Sequence, residues 1–215
     1  KQKKDLKIIV DAGNGAGGFF VSEVLQPLGA DTQGSLYLDP DGRFPNHIPN
    51  PEHPEALADL CEVVVREKAD VGIIFDTDVD RAAAVDRSGV PITRNRFIAL
   101  LATIALRESP GATIVTDSVT STGLNQWIEG LGGVHHRFKR GYRNVINEAI
   151  RLNKEGIEAP LAIETSGHGA FKENYFLDDG AYQVAKLLIE LSNLNAENSD
   201  GLESAGATKD AVALP

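Results

Sequence analysis

The chain has 215 residues, of which 42% are hydrophobic and 24% are charged, and its formal net charge is -10. These values are ordinary for a soluble folded protein and exclude a disordered chain. The negative charge predicts no nucleic-acid partner and no anionic-membrane surface, and no apolar run approaches the roughly 20 residues that span a bilayer. The single cysteine, Cys61, allows no internal disulfide, so we expect a cytoplasmic protein.

The first half of the chain alternates apolar runs with amphipathic stretches around one long loop. Prolines at 40, 45, 49, 51 and 54 exclude a helix or a central strand from this loop. Strand 82–85 follows strand 71–75 too closely for a crossover helix, which predicts an antiparallel pair. Before residue 109 the sequence predicts strands over 6–10, 34–38, 71–75 and 82–85 and helices over 19–28, 54–68 and 95–108.

A second α/β unit is predicted after the breaker sequence Ser109-Pro110-Gly111. We therefore predict an α/β fold of two tandem domains, 1–109 and 110–194, each a mixed β-sheet flanked by helices. The polar segment 195–215 is predicted to be a tail or linker, and its position after a helix with no closing strand suggests a fragment. The predicted elements of the second unit are strands over 113–116, 134–138 and 161–164 and helices over 121–131, 142–153 and 180–194.

The turn from Gly13 to Gly18 fits the G-x-G-x-x-G pattern between a predicted strand and a predicted helix. A dinucleotide site would hold a pyrophosphate at the helix N-terminus, with Asp39 close to the expected acidic position. The alternative is that the glycines only permit a tight strand-to-helix turn. Because so glycine-rich a segment meets the pattern easily, we favour the structural interpretation.

Three carboxylates at alternate positions, Asp76, Asp78 and Asp80, follow a predicted buried strand. They repel one another and lose hydration unless a cation compensates them, and oxygen-only ligands favour Mg²⁺ over zinc. A calcium EF-hand fails because Arg81 and Arg87 stand where it needs glycine and glutamate. An acidic hairpin turn in water is the structural alternative, but apolar residues on both sides leave little exposed turn.

The same segment, DTDV from Asp76, also fits the D-x-D-x-[TV] signature of haloacid-dehalogenase-type phosphatases. In that interpretation Asp76 is the nucleophile that forms an aspartyl phosphate, and Asp178 and Asp179 are the distal acidic pair. Two predicted strands precede the segment, whereas the signature normally follows the first strand of its domain. This phosphatase stays open as an alternative.

Glu164, Ser166 and His168 follow another apolar run, on a loop that contains a glycine. A carboxylate, a hydroxyl and an imidazole side by side suit a polyhydroxylated sugar, because an unpaired buried hydroxyl costs about 1–3 kcal/mol. A lone histidine is more often structural than functional. The three residues together favour a binding function.

The segment HHRFKRGYRN carries four basic side chains just before a predicted helix. Arginine forks suit phosphate and Gly141 precedes the helix N-terminus, so anion capture and a solvated strand edge are both open. Ser118 and Ser121 on the preceding loop have no Asp–His partner nearby in the sequence and are predicted to be helix caps. The basic residues are Arg137, Lys139, Arg140 and Arg143.

The order of these motifs resembles that in the α-D-phosphohexomutases, the phosphoglucomutase and phosphomannomutase superfamily. The resemblance extends over about 6–194 and corresponds to the second and third domains of that family. Each motif is short, but their shared order makes the match specific. The second-domain motifs are DAGNGAGG, FPNHIPNPEHPEAL and FDTDVDR, and the third-domain motifs are TDSVTST, KRGYRNV, ETSGH and LDDGAY.

The resemblance implies an enzyme that moves phosphate between the 1- and 6-positions of a hexose phosphate. A phosphoserine donates the phosphoryl group, a hexose 1,6-bisphosphate is the intermediate, and the glycine-rich turn needs no cofactor. The implied assignments are Asp76, Asp78 and Asp80 for Mg²⁺, Arg81 and His168 for catalysis, and Gly141, Tyr142, Arg143, Glu164, Ser166 and His168 for substrate binding.

Three departures from the family pattern affect this expectation. Ile163 stands where the family usually has glycine, and Val119 stands where some members carry a substrate-binding lysine. Neither the serine motif of the first domain nor the terminal R-x-S-G-T phosphate clamp occurs in the chain. We therefore expect the central piece of a mutase, inactive alone, whose partners are hexose phosphates and the phosphoserine and C-terminal domains of the same polypeptide. A non-catalytic sugar-phosphate-binding module is the alternative.

Overall fold

The computed structural model describes the backbone of residues 6–201 and the side chains of residues 6–194. This part of the chain contains two four-stranded β-sheets of mixed direction, one from each half, and both are flanked by helices. The predicted α/β class with two mixed sheets is therefore confirmed. The predicted boundary between residues 109 and 110 stays a prediction.

The first sheet has the strand order β1-β2-β3-β4. β1 and β2 are parallel, whereas β2 and β3 are antiparallel, as the short connection between them predicts. All five residues of β2 are buried, because a central strand with both faces covered reads as one continuous apolar run. The strands are β1 (Ile8–Asp11), β2 (Val71–Phe75), β3 (Ala82–Asp86) and β4 (Pro91–Ile92).

The second sheet has the strand order β6-β5-β7-β8. β5 lies in the middle and is parallel to both β6 and β7, and β8 closes the edge antiparallel to β7. The strands are β5 (Thr113–Asp117), β6 (Val134–Phe138), β7 (Leu161–Ile163) and β8 (Gly169–Phe171). Each sheet thus combines parallel central strands with an antiparallel edge.

Five α-helices cover the sheets. α1 begins with proline, which its first turn tolerates, and buries Leu57, Leu60 and Val64 against the first sheet. α4 buries Val145 and Ala149 against the second sheet in the same way. The helices are α1 (Pro54–Arg66), α2 (Arg94–Glu108), α3 (Thr122–Gly130), α4 (Tyr142–Lys154) and α5 (Gly180–Gly201).

One hydrophobic core connects the two sheets. Phe97 and Leu101 of α2 and Val184 of α5 belong to the same cluster as Ile73 of β2 and Ile114 of β5. α2 also packs against α3 and α5. Because α2 and α5 lie between the sheets, the loops at the strand ends of the two halves are held next to each other.

The structure differs from the predicted elements in several places. Residues 34–38 form no strand, since the segment pairs only through a single bridge at Leu36 and Tyr37 turns into the left-handed region at φ 52°. The predicted helix over 19–28 is reduced to a π-helical segment, Phe20–Leu25. The short strands β4 and β8 were not predicted. α5 continues to Gly201, seven residues into the segment 195–215, whose assignment as a tail or linker stays a prediction. Residues 202–215 lie outside the described part.

Within residues 6–201, each helix is either too short or too polar to span a membrane.

Candidate active site

Two loops at the carboxyl ends of buried strands meet in the structure. The acidic loop (76–81) follows β2, and the histidine loop (164–168) follows β7. A backbone bridge joins Arg81 to His168. Carboxyl ends of parallel strands are the usual place for ligands in α/β sheets, so this junction is the candidate site.

Two glycines make the close approach of the loops possible. A Cβ on Gly180 would lie 2.8 Å from the backbone oxygen of Val79, and a Cβ on Gly167 would lie 3.0 Å from that of Ala82. Gly180 also donates its N–H to the Val79 oxygen at 2.9 Å. The start of α5 is therefore fixed to the acidic loop by backbone contacts that a side chain would obstruct.

The acidic loop brings its three carboxylates together. One oxygen from each of Asp76, Asp78 and Asp80 lies within 4.8 Å of the other two. Arg81 lies over Asp76, donating its Nε to Oδ2 at 2.8 Å and its backbone N–H to Oδ1 at 3.1 Å. Its Nη1 also donates to Oδ1 of Asn50 at 3.4 Å. One guanidinium thus contacts two of the three carboxylates, Asp76 and Asp80.

Asp80 is the carboxylate of this cluster whose ionised form is most disfavoured. Its Oδ1 is buried and has no hydrogen-bond partner among the described residues. Burial, together with the neighbouring carboxylate of Asp76, raises the pKa of Asp80 to about 7. Oδ1 of Asp80 has only a 3.8 Å ion-pair contact, with Nε of Arg81. A buried carboxylate oxygen without a hydrogen bond, in an all-oxygen cluster, suits a hard divalent cation, so these residues fit a metal ion of that kind.

Val79 holds the acidic loop in a strained conformation. Its φ is +70°, a region that a β-branched residue rarely adopts, and its side chain is buried in the core between the sheets. Packing of the side chain and the hydrogen bond to Gly180 hold the residue there. Backbone strain of this kind costs about 1–3 kcal/mol and is typical of functional loops.

The glycine-rich turn supports the acidic loop from below. Ala16 donates its N–H to the backbone oxygen of Thr77 at 2.9 Å, and a Cβ on Gly15 would lie 2.7 Å from that oxygen. Only a 3-10 turn, Ala16–Gly18, and the π-helical segment follow. The glycines therefore serve close packing, as the structural interpretation of the turn predicts.

Glu164 organises the histidine loop. Its carboxylate is buried and accepts hydrogen bonds from the N–H of Gly141 at 2.6 Å and from the hydroxyl of Ser166 at 3.2 Å. Gly141 has a φ of +118°, so this position favours glycine. Three predicted substrate-binding residues are thus directly connected.

A second buried carboxylate holds the same loop from beneath. Oδ2 of Asp117, at the end of β5, accepts the hydroxyl of Thr165 at 2.7 Å and its N–H at 3.3 Å. Oδ1 of Asp117 is buried with no hydrogen-bond partner among the described residues. Charge-assisted bonds of this type are the stronger ones in proteins, so the loop is firmly held.

His168 lies between the two loops. Its Nδ1 lies 2.7 Å from Oδ2 of Asp178 and 3.6 Å from Oδ2 of Asp80, and its ring stacks on Tyr142 at 4.9 Å between centroids. Burial lowers the pKa of His168, but the hydrogen bond and charge of Asp178, with the charge of Asp80, leave it raised. Tyr142 in turn contacts Arg143, whose Nε donates to its hydroxyl at 3.1 Å.

The structure brings all the predicted site residues into one connected group. The residues of the basic segment have different environments. Arg137 donates to the Thr120 hydroxyl and to the Ser121 backbone oxygen, whereas Lys139 and Arg140 are exposed. Ser121 caps α3 by accepting the Leu124 N–H, as predicted.

Sequence reasoning missed three contacts of the site. Asp178 was considered only as part of a phosphatase acidic pair, and the contacts of Asp117 and Asn50 were not predicted. Nothing in the sequence pattern signals these three pairings, because their partners are distant in the chain or come from a different strand.

The fold and the site define a mixed α/β protein in which an acidic loop lies against a histidine-containing loop. Two family models match the chain: phosphoglucomutase/phosphomannomutase alpha/beta/alpha domain II over residues 1–89, and domain III over residues 93–205. The chain therefore belongs to the phosphoglucomutase/phosphomannomutase family.

Known proteins agree with this assignment. The chain is 39% identical over 190 residues to a phosphomannomutase/phosphoglucomutase of Pseudomonas aeruginosa, covering 88% of this chain and 40% of that protein. It is 35% identical over 184 residues to the phosphomannomutase of Escherichia coli K12, covering 84% and 39%. The crystal structure of a phosphoglucomutase/phosphomannomutase family protein from Burkholderia thailandensis matches with a TM-score of 0.80 and 37% identity, covering 97% and 45%. The chain thus spans about 40% of the length of the curated relatives.

Proposed function

We propose that this chain forms the metal-binding and sugar-binding part of a phosphohexomutase, which interconverts hexose 1-phosphate and hexose 6-phosphate through a bisphosphorylated sugar. The observation that carries the proposal is the contact between the acidic loop and the histidine loop, where Asp80 lies 3.6 Å from His168. This contact places Asp80, a candidate cation ligand, beside His168, a candidate general acid or base. We also infer a cytoplasmic location from the single cysteine.

Mg²⁺ is the cation that we propose for the acidic loop. Asp76, Asp78 and Asp80 would hold it, and when bound it supplies positive charge that stabilises a transferring phosphoryl group. Arg81 already neutralises part of Asp76, and its guanidinium would orient an incoming phosphate at the edge of the loop. The unpaired oxygen of Asp80 supports this assignment.

The histidine loop would recognise the sugar. Glu164 and Ser166, connected at 3.2 Å, would bind neighbouring ring hydroxyls, because a fixed acceptor and a hydroxyl match a vicinal diol. Gly141, Tyr142 and Arg143 would line the same site. His168 would take a proton from the sugar hydroxyl that attacks, or return one to the oxygen that leaves.

Turnover requires groups that this sequence does not contain. The serine motif that would donate the phosphoryl group and the R-x-S-G-T phosphate clamp are absent from the 215 residues. We therefore expect binding without catalysis by this chain alone. Full mutase activity of the isolated chain would contradict the division of labour that we propose.

An NMR titration of the ¹⁵N-labelled chain tests the proposal. Addition of Mg²⁺ should shift the amide signals of 76–81, and glucose 1,6-bisphosphate should shift those of 141–144 and 164–168. Asp78→Asn, at an exposed position, should remove only the first response, and Glu164→Gln should weaken only the second. Metal binding without sugar binding would favour the phosphatase alternative.

The non-catalytic alternative makes the same binding predictions, so a different observation separates it from a mutase. A gene that encodes the serine motif before this segment and the phosphate clamp after it would support the enzyme. A full-length gene product without both motifs would support a binding module.

A further inference from the structure

Asp178 has no role in the proposed mutase site, yet its carboxylate lies at hydrogen-bond distance from His168. Its side chain is 14% exposed, and its Oδ2 lies 2.7 Å from Nδ1 of the imidazole. The other oxygen, Oδ1, accepts the N–H of Gly169 at 3.0 Å. A backbone bridge between Ala170 and Asp178 fixes the main chain as well. Both carboxylate oxygens and the backbone of this residue are thus committed to the first residues of β8 and to His168.

Asp80 is the second carboxylate near the same nitrogen, but its contact is weaker. Its Oδ2 lies 3.6 Å from Nδ1, beyond the range of a normal N–H···O hydrogen bond. Under the proposed function this carboxylate also belongs to the metal cluster. Asp178, at 2.7 Å, is therefore the carboxylate at hydrogen-bond distance from Nδ1.

The ring of His168 is fixed in its plane and along its edge. Tyr142 stacks on it with an interplanar angle of 21°, and the backbone bridge to Arg81 holds the residue against the acidic loop. A carboxylate can only accept at Nδ1, so the neutral ring must carry its proton there. Nε2 is then the unprotonated nitrogen.

We propose that Asp178 is a positioning residue, which keeps the proton of neutral His168 on Nδ1 and leaves Nε2 as the nitrogen that exchanges a proton with the sugar hydroxyl. The position of the proton on Nδ1 concerns this chain alone, whereas the exchange of a proton between Nε2 and the sugar rests on the proposed function. The proton transfer is balanced: Nε2 gains the proton that the attacking hydroxyl loses and returns it to the leaving oxygen, while Nδ1–H stays hydrogen-bonded to Asp178.

The test is the tautomer of His168, read from ring ¹⁵N shifts and long-range ¹H–¹⁵N couplings of the full chain. The spectra are recorded at a pH above the pKa of His168, where the ring is neutral. In the unmodified protein Nδ1 should show the protonated, pyrrole-type signal and Nε2 the pyridine-type signal. An Nε2–H tautomer, or an equal mixture, would overturn the proposal without any variant.

Asp178→Asn should reverse the assignment. Its amide oxygen can still accept the N–H of Gly169, and its NH₂ group then donates to Nδ1 of His168, which moves the ring proton to Nε2. Asp179→Asn is the matched control, because the neighbouring carboxylate accepts from Asn174 and Tyr182 and does not touch His168. An unchanged tautomer in Asp178→Asn would refute the positioning role. If that variant does not fold, the tautomer of the unmodified protein decides alone.

Failure of this inference and failure of the proposed function give different results. If glucose 1,6-bisphosphate does not bind while Nδ1 of His168 carries the proton, the positioning by Asp178 stands and the proposed function fails. If the sugar binds to a protein whose His168 carries its proton on Nε2, the function stands and the role of Asp178 is lost.

Discussion

The acidic loop and the histidine loop both follow buried strands, but they differ in how completely their polar side chains are hydrogen-bonded. In the acidic loop, three carboxylates lie close together beside one arginine, and Val79 is strained. One buried oxygen of Asp80 has no hydrogen-bond partner within the described part of the chain. In the histidine loop, each polar side chain from Glu164 to His168 has a hydrogen-bond partner.

This difference separates two ways of building a site. The histidine loop is preorganised: its geometry is supported by Asp117 beneath it and Asp178 beside it, so little reordering is needed when a ligand binds. The acidic loop is held in place by packing against the other half of the molecule while its charges are only partly compensated. Its structure without a cation costs free energy that a bound cation would recover.

The largest expected effect comes from obstructing the contact between the loops. Gly180→Ala places a Cβ 2.8 Å from the backbone of Val79 and Arg81, and backbone atoms cannot move aside as a flexible side chain can. We expect a loss of about 3 kcal/mol in the free energy of unfolding, the upper range for overpacking, together with weaker Mg²⁺ binding.

Gly123→Ala is the control for this substitution. Gly123 also lies in the first turn of a helix, but a Cβ there meets only the Ser121 hydroxyl at 3.8 Å, so the variant should be neutral or slightly more stable. Urea unfolding of both variants measures the difference. Equal stabilities would show that the acidic loop is not held by the start of α5.

The next effect in size concerns the charges themselves. Asp80→Asn removes a like charge from the cluster, so the metal-free variant should be more stable at pH 7 than the unmodified protein. Mg²⁺ at about one hundred times its Kd should add about 2.7 kcal/mol to the unmodified protein and nothing to the variant. Thermal unfolding with and without Mg²⁺ measures both.

Asp39→Asn serves as the matched charge change, since Asp39 is exposed and far from the cluster in sequence. It should retain the full response to Mg²⁺. A metal response that survives in Asp80→Asn would remove the acidic loop from consideration as the cation site.

The support of the histidine loop is tested by Thr165→Val. The variant removes the 2.7 Å hydrogen bond to Asp117 and leaves that buried carboxylate with only the longer backbone contact. Loss of a hydrogen bond to a charged group predicts about 2 kcal/mol of destabilisation. Thr122→Val at an exposed helix start should change little. Unfolding in urea compares them, and a stable Thr165→Val variant would argue against preorganisation by Asp117.

The sequence predicts most of the fold because apolar runs and breakers coincide with element ends. The run 71–75 becomes β2 with the same bounds, and 134–138 becomes β6. β4 and β8 have two and three residues, too few for any periodic signal. They are recognised only by their pairing, β4 with β3 and β8 with β7. The continuation of α5 beyond residue 194 is carried by residues whose polar composition is typical of a tail.

The site residues likewise include some that the sequence predicts and some that it does not. The acidic and histidine residues are recognisable because side chains of one chemistry are grouped within a few positions. Asp117 and Thr165 are 48 residues apart and meet only because β5 and β7 are neighbours in the sheet. Asp178 reaches His168 only because the chain after β8 folds back and pairs Asp178 with Ala170 of β8. Such contacts depend on strand order, which spacing along the chain does not encode.

The smallest expected effect is a difference in pH response between two histidines, one in each half. Burial, with the charge of Arg137, lowers the pKa of His135 to about 4, whereas the hydrogen bond to Asp11 raises the pKa of His47. His135 therefore contributes stability that is present above pH 6.5 and is lost as the pH falls towards 4. His47 contributes stability that is present below pH 6.5 and is lost as the pH rises through its pKa in the folded protein.

Acidification from pH 7 to pH 5 should thus weaken the second half through His135 and strengthen the first through His47. His135→Gln should reduce the fall in the free energy of unfolding between pH 7 and pH 5 by about 1 kcal/mol. This is well below the free energy that corresponds to the whole pKa shift, because the ring is only half-buried and water screens part of the effect. His47→Gln should make the loss steeper. Urea unfolding at both pH values, for the two variants and the unmodified protein, measures these slopes. His135 bonds Thr116 and Asn125 and contacts neither loop through these bonds. The change in free energy of unfolding with pH should therefore differ between His135→Gln and the unmodified protein by the same amount with and without Mg²⁺. A slope difference that depends on Mg²⁺ would mean that the two halves do not respond independently.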